Sequence, residues 1–164
     1  MDGIWSARGG KWKRFFDTRP QAKAFFTICG ERYTVLLSGG SAAVKDGRTG
    51  ERLARFKGFN YLYTGDIKPD ETEFFALENG KHFYVFSLKN FTQRLRVTLP
   101  RRYEAIDVCG RYSEDGKILC VPAYKYDKGY TYVLFRYETD TYTLVSMEQM
   151  RDAEWDREWG WQTI

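Results

Sequence analysis

"TICGERY", Thr27 to Tyr33, is echoed eighty residues later by "DVCGRYS", Asp107 to Ser113, and more faintly between them by "YTGDI", Tyr63 to Ile67. In the faint copy Thr64-Gly65 stands where the others have Cys-Gly. The anchoring glycines, Gly30, Gly65 and Gly110, lie 35 and 45 residues apart, a mean of 40. Internal periods of roughly 20–50 residues mark solenoids, propellers or arrays.

The same succession follows each anchor. After Gly30 come a short turn, "YTVLLS" (33–38), "GG", "SAAVKD" (41–46), "GRTG" and "ERLARF" (51–56). After Gly65 come "KPDET", "EFFALE" (73–78), "NG", "HFYVFS" (82–87), "LKNF" and "TQRLRVTL" (92–99). After Gly110 come "SEDG", "KILCVPAY" (117–124), "KYDKG", "YTYVLFRY" (130–137), "ETD" and "TYTLV" (141–145). Each unit is thus one strand leading into the anchor and three more joined by tight turns, with Gly, Asn and Asp where hairpins need them. The strands are apolar or aromatic on both faces: Tyr130, Tyr132 and Leu134 alternate with Val133, Phe135 and Tyr137. A sheet with one wet face would alternate with polar residues instead.

Four-stranded meanders covered on both faces are the blades of a β-propeller, and Ala24 to Val145 resembles WD40-like propeller repeats. The Trp-Asp and Gly-His signatures of those repeats are absent from that span. The resemblance implies an all-β fold, a small propeller of about four four-stranded blades, in one domain covering 1–164. Three blades are expected at about 24–56, 62–99 and 105–145. "GIWSARGGKWKRFF" (3–16) matches the last two strands of a unit, "AVKDGRTGERLARF" (43–56), while "SMEQM" and "WDREWGWQTI" (155–164) supply two more strands. A closing blade is therefore expected from 146–164 plus 3–16, giving a monomer if it closes and a homodimer otherwise. Charges agree with that pairing, since 1–23 carry six basic and two acidic residues and 146–164 two basic and five acidic. A helix from Ser146, whose "SMEQ" fits a capping box, is the competing expectation for 146–159.

Catalytic chemistry has few candidates. Three cysteines (Cys29, Cys109, Cys120) at wide spacings form neither a disulfide framework nor a zinc motif. His82, the single histidine, sits in an aromatic strand, which excludes a multi-histidine metal site. None of the Gly-Lys pairs completes a phosphate loop, and the clusters "KPDETE" and "SEDGK" lack calcium-loop spacing. No cofactor, no metal and no catalytic residue is expected. No apolar run long enough to span a bilayer or to lead secretion is found, so a cytoplasmic protein without a membrane partner is expected.

The charge is distributed by loop. In an antiparallel meander successive turns alternate between the two ends, so first-to-second and third-to-fourth turns share one propeller face. In this sequence those turns hold seven cations against twelve carboxylates, while the remaining turns and blade links hold eight cations against three carboxylates. The modest net charge of +4 therefore covers an expected asymmetry across the disc. Cations and rings interleave on the basic side, giving Arg19, Lys57, Phe59, Tyr61, Arg101, Arg102, Tyr103, Lys125, Tyr126 and Lys128 as candidate binding residues. The function expected is a non-enzymatic interaction module for an acidic protein segment. The alternatives are nucleic acid on the same face, or a glycan stacked on Trp155, Trp159 and Trp161 with surface tyrosines.

Overall fold

Runs of β-branched and aromatic residues broken by Gly, Asn and Asp turns favour strands. The computed structural model describes residues 3–8, 11–16, 25–78, 80–106 and 110–151, and among them it contains strands and no helix. The first sheet runs β2 (Lys11–Phe16), β1 (Gly3–Arg8), β3 (Phe25–Cys29), β4 (Tyr33–Ser38), β5 (Ser41–Asp46) and β6 (Arg52–Lys57) in spatial order. The second is a meander of β7 (Leu62–Ile67), β8 (Glu73–Glu78), β9 (His82–Ser87) and β10 (Gln93–Thr98). In the third, β13 (Ile118–Tyr126), β14 (Tyr130–Glu138) and β15 (Leu144–Met150) follow one another. Two short strands of that sheet, β11 (Glu104–Ala105) and β12 (Arg111–Tyr112), both pair with β13.

Alternation on the second sheet explains why its strands are apolar on both faces. Phe74, Ala76, Tyr84 and Phe86 pack against Ile28, Val35, Leu37 and Val44 of the first sheet. Phe75, Leu77, Phe83 and Val85 pack against Leu119, Val121, Val133 and Phe135 of the third. Every residue of β8 is buried in this sandwich. Each fully buried Phe or Leu contributes about 1.5–3 kcal/mol relative to exposure, so the central sheet carries most of the apolar driving force.

The repeated glycines sit where neighbouring groups leave no space for a side chain. A Cβ on Gly65 would lie 2.2 Å from the Phe75 carbonyl oxygen and 3.1 Å from Ile28 Cδ1. On Gly110 it would lie 2.8 Å from Phe75 Cζ, and on Gly30 2.1 Å from Glu71 Oε1. Of the residues preceding them, Thr64 is fully buried and Cys29 half-buried, so the tight spot is the glycine itself. Cys109 lies outside the described residues.

Carboxylates then stitch sheet to sheet. Glu71 accepts the backbone N–H of Arg32 at 3.0 Å and of Tyr33 at 3.3 Å, tying the second sheet to the first. Asp66 accepts the N–H of Tyr112 at 3.0 Å, tying the second to the third, and also its neighbour Ile67 N–H at 2.9 Å. Arg94 pairs with Glu73 at 2.7 Å, donates to the Asp140 carbonyl and lies over the Tyr142 ring. The Tyr142 hydroxyl in turn meets the Tyr112 hydroxyl at 2.9 Å.

Three expectations are revised. Ser146–Met150 continues the third sheet as part of β15, with Met147 opposite Phe135, rather than opening a fourth blade or a helix. The cause is the turn before it: the Glu138 carboxylate gathers the N–H groups of Asp140, Thr141 and Thr143, so the strand starts at Leu144 instead of Thr141. Second, the β1–β2 hairpin forms, but β1 runs parallel to β3 and extends the first sheet, using the edge that β3 would otherwise leave unpaired. Its expected partner 155–164 lies outside the described residues, among which no closed ring of sheets occurs. Third, the outer face of the third sheet is only partly covered: Leu134 is buried, Tyr132 half-buried and Tyr130 63% exposed.

Gly65→Ala is expected to force the Phe75 backbone outward and cost about 1–3 kcal/mol, read as a lower urea midpoint with unchanged slope. Asp66 gives a second test. Burial pushes its carboxyl up from 3.8 to about 6, against the opposing pull of the Tyr112 and Ile67 N–H groups and the Arg111 charge. Between those two values the folded chain binds more protons than the unfolded one, so stability rises as pH falls from 7 toward 4. The gain is on the order of 3 kcal/mol at most for a shift from 3.8 to about 6. Thermal melts at pH 7 and pH 5 should show it in the parent and not in Asp66→Asn.

Candidate functional site

The hydrogen bonds between turns define two opposite ends of the assembly. At one end Gly47 N–H reaches Arg32 O (2.8 Å), Leu88 N–H reaches Thr72 O (2.8 Å) and Thr139 N–H reaches Lys117 O (3.0 Å). This end gathers the turns that hold the excess of carboxylates. At the other end Leu62 N–H reaches Gly39 O (2.7 Å), Leu99 N–H reaches Lys81 O (2.9 Å) and Ala105 N–H reaches Gly80 O (2.8 Å). Lys57, Phe59, Tyr61, Arg101, Arg102, Tyr103, Lys125, Tyr126 and Lys128 all lie in the turns or strand ends of this second end. Arg19 lies outside the described residues, as do Trp155, Trp159 and Trp161.

The two charge sets are used differently. At the acidic end Asp46, Asp70, Asp115 and Glu138 close their own turns. Asp46 accepts from the N–H groups of Arg48 and Thr49, both at 2.8 Å, and Asp115 from the Ser113 hydroxyl at 2.7 Å and Lys117 N–H at 3.0 Å. These bonds hold the Asp46 carboxyl below its ordinary 3.8, the Thr49 N–H first and Arg48 next. Glu138 is held down at about 2, chiefly by the Thr141 hydroxyl. At the basic end Lys57, Lys81, Arg101, Arg102 and Lys128 are exposed, and none makes an ion pair among the described residues. Lys125 lies over the Tyr103 ring at 5.5 Å.

The expected rings divide into two groups. Phe59 packs 4.6 Å from Tyr84 and 5.7 Å from Phe86, and Tyr103 sits edge-on to Phe135 at 5.1 Å, so both anchor loops to the core. Tyr61, 42% exposed, lies 4.7 Å from Tyr63, and Tyr126 is 69% exposed beside Tyr130 at 5.0 Å. Sequence reasoning passed over Tyr130 and Lys81 as site residues. Tyr130 was within reach, because it closes the hairpin directly opposite Tyr126. Passed over as well was Glu78, which is buried at the same end and fixes the link bearing Lys57, Phe59 and Tyr61. Its carboxylate accepts Asn60 N–H at 2.9 Å and the Tyr84 hydroxyl at 3.1 Å.

His82 is held in a structural pair. An Arg96 N–H lies 2.8 Å from Nε2, and since a guanidinium only donates, the ring proton sits on Nδ1, facing Thr98 Oγ1 at 3.1 Å. Burial and then the Arg96 charge push its pKa down, so the ring stays neutral. Burial pushes the Cys120 thiol up, away from the reactive thiolate. Among the described residues no cluster of three His, Cys, Asp or Glu could hold a metal ion.

No family model matches the sequence, and no curated protein matches it. Solved structures do share its fold. The β-propeller domain of Cps50 (Swd1) from Myceliophteria thermophila aligns with 90% of the chain at a TM-score of 0.59 and 15% identity. The hydrazine synthase of Kuenenia stuttgartiensis aligns with 74% at a TM-score of 0.62 and 13% identity. The fold is therefore all-β and propeller-like. The chain spans 42% of the propeller domain and 35% of the hydrazine synthase chain.

Glu78→Ala is expected to leave Asn60 N–H and the Tyr84 hydroxyl without their partner and to cost about 1–3 kcal/mol. Hydrogen exchange at the Asn60 amide should quicken more than at amides of β4 and β5, the mark of a loosened link.

Proposed function

We propose that the chain is a non-enzymatic interaction module whose basic end binds an acidic protein segment. One observation carries this: Asp46, Asp70, Asp115 and Glu138 of one end are bound into turns, whereas five exposed cations of the other end, Lys57, Lys81, Arg101, Arg102 and Lys128, make no ion pair among the described residues. Turn chemistry accounts for the acids. It does not account for the cations.

Backbone geometry supports the same function. Among the described residues five non-glycine residues have positive φ: Glu71, Phe91, Arg102, Lys128 and Tyr142. A left-handed backbone with a Cβ costs roughly 1–2 kcal/mol, and glycine would relieve it. Glu71 repays the strain by binding Arg32 and Tyr33, Phe91 by packing on Tyr33, and Tyr142 by meeting Tyr112. Arg102 (φ 76°) and Lys128 (φ 57°) make no such contact among the described residues, so their side chains are retained for a role outside the fold. Exposed cations on fixed loops would steer an acidic chain by its charge and release it in salt.

Labelled poly-L-glutamate is the probe. Reversing Arg101 and Arg102 to Glu should weaken its binding at least about tenfold, mainly through the association rate, with the melting temperature nearly unchanged. Reversing Arg48 and Lys89 at the opposite end should leave binding intact. Equal binding by both double variants, or binding insensitive to salt, would count against the basic end as the docking face.

A further inference from the structure

The hairpin joining β13 to β14 reaches beyond its neighbours. β11 accompanies β13 only as far as Tyr124, and β15 accompanies β14 only from Tyr132 onward. Among the described residues, Lys125–Thr131 is therefore a two-stranded ribbon projecting from the basic end. Its turn is closed by Asp127 N–H to Gly129 O at 2.9 Å, with Lys128 at the apex. Tyr126 and Tyr130, paired across the ribbon, expose 69% and 63% of their surface. Their ring centroids are 5.0 Å apart at 61°, and Tyr130 stacks on Tyr132 at 6.1 Å and 14°. Two such exposed rings on a projecting tip bury little apolar surface for the fold, and they share the basic end with cations that make no ion pair among the described residues.

We infer that this ribbon is the recognition finger for an extended acidic segment carrying prolines, whose pyrrolidine rings lie on Tyr126 and Tyr130 while its carboxylates meet Lys128, Arg101 and Arg102. This occupant rests on the acidic-partner function proposed above. Charge selects the sign of the ligand. The rings select its shape: Tyr126 and Tyr130 each present an exposed aromatic face on which the C–H groups of a pyrrolidine ring can pack. A chain alternating Glu with Pro is already extended in a polyproline helix, so it loses little entropy when it is laid along a row of tyrosines.

The test uses two fluorescein-labelled peptides of equal length and charge, one alternating Glu and Pro and the other Glu and Gly, with oligo-dT as a third probe. Tyr126 and Tyr130 are exposed, so the Tyr126→Ser/Tyr130→Ser variant keeps the fold. The parent should prefer the Glu-Pro peptide by about tenfold. The tyrosine variant should lower that preference to about twofold or less while its Glu-Gly affinity stays put. Equal affinity of the parent for both peptides, or a preference that survives in the tyrosine variant, overturns the finger and leaves the basic-end function standing. Failure of both peptides to bind at low salt overturns the function and the finger together, as would tighter binding of oligo-dT than of either peptide.

Discussion

The close approach of β7 and β12 to Phe75 is the constraint on which the assembly depends. Phe75 is fully buried, its carbonyl oxygen leaves no space for a Cβ on Gly65, and its ring leaves none on Gly110. One residue thus sets two spacings, that between β7 and β8 and that between the second and third sheets. Because β8 is buried along its whole length, any displacement of Phe75 must move both layers packed on it. Gly65 and Gly110 are the sequence trace of this crowding, while Gly30 makes room for the Glu71 carboxylate.

Carboxylates perform two structural tasks in this chain. Asp46, Asp115 and Glu138 hold turns, and Glu71 and Asp66 cross from one sheet to another. Asp66 does so at a cost, since its charge is poorly solvated where it meets Tyr112. Among the described residues, Lys57, Lys81, Arg101, Arg102 and Lys128 make no ion pair. The exposed cations of the basic end can therefore change without unloading these turns and crossings. A solvated loop cation contributes within about 1 kcal/mol to stability but can change an association rate strongly.

The fold alone does not choose a function. A β-propeller domain and a hydrazine synthase both align with this chain, at 15% and 13% identity, and architectures of this kind host unrelated activities. The local features of this chain are, among the described residues, five exposed cations without an ion pair, two left-handed residues with long charged side chains, and a projecting tyrosine ribbon. His82, bound between Arg96 and Thr98, offers no free base.

The spacing of Gly30, Gly65 and Gly110 and the turn residues between them determined the three antiparallel meanders, because a hairpin register is fixed by local turn chemistry and a two-residue alternation. The same locality made the two charge faces legible, since successive turns of a meander must alternate ends. Long-range matters were decided only in three dimensions. β1 lies parallel to β3, a pairing that no hairpin rule encodes. β15 starts at Leu144 because Glu138 collects N–H groups from residues as far as five positions ahead. Phe59 and Tyr103, expected among the binding residues, are half-buried, each with one side against residues of another strand, a degree of burial that depends on what the tertiary structure brings opposite. Glu78 and Tyr130 gained their places in the same way, one by facing Asn60 and the other by standing beyond the last pair of β15, because burial and projection are properties of neighbours rather than of the residue itself.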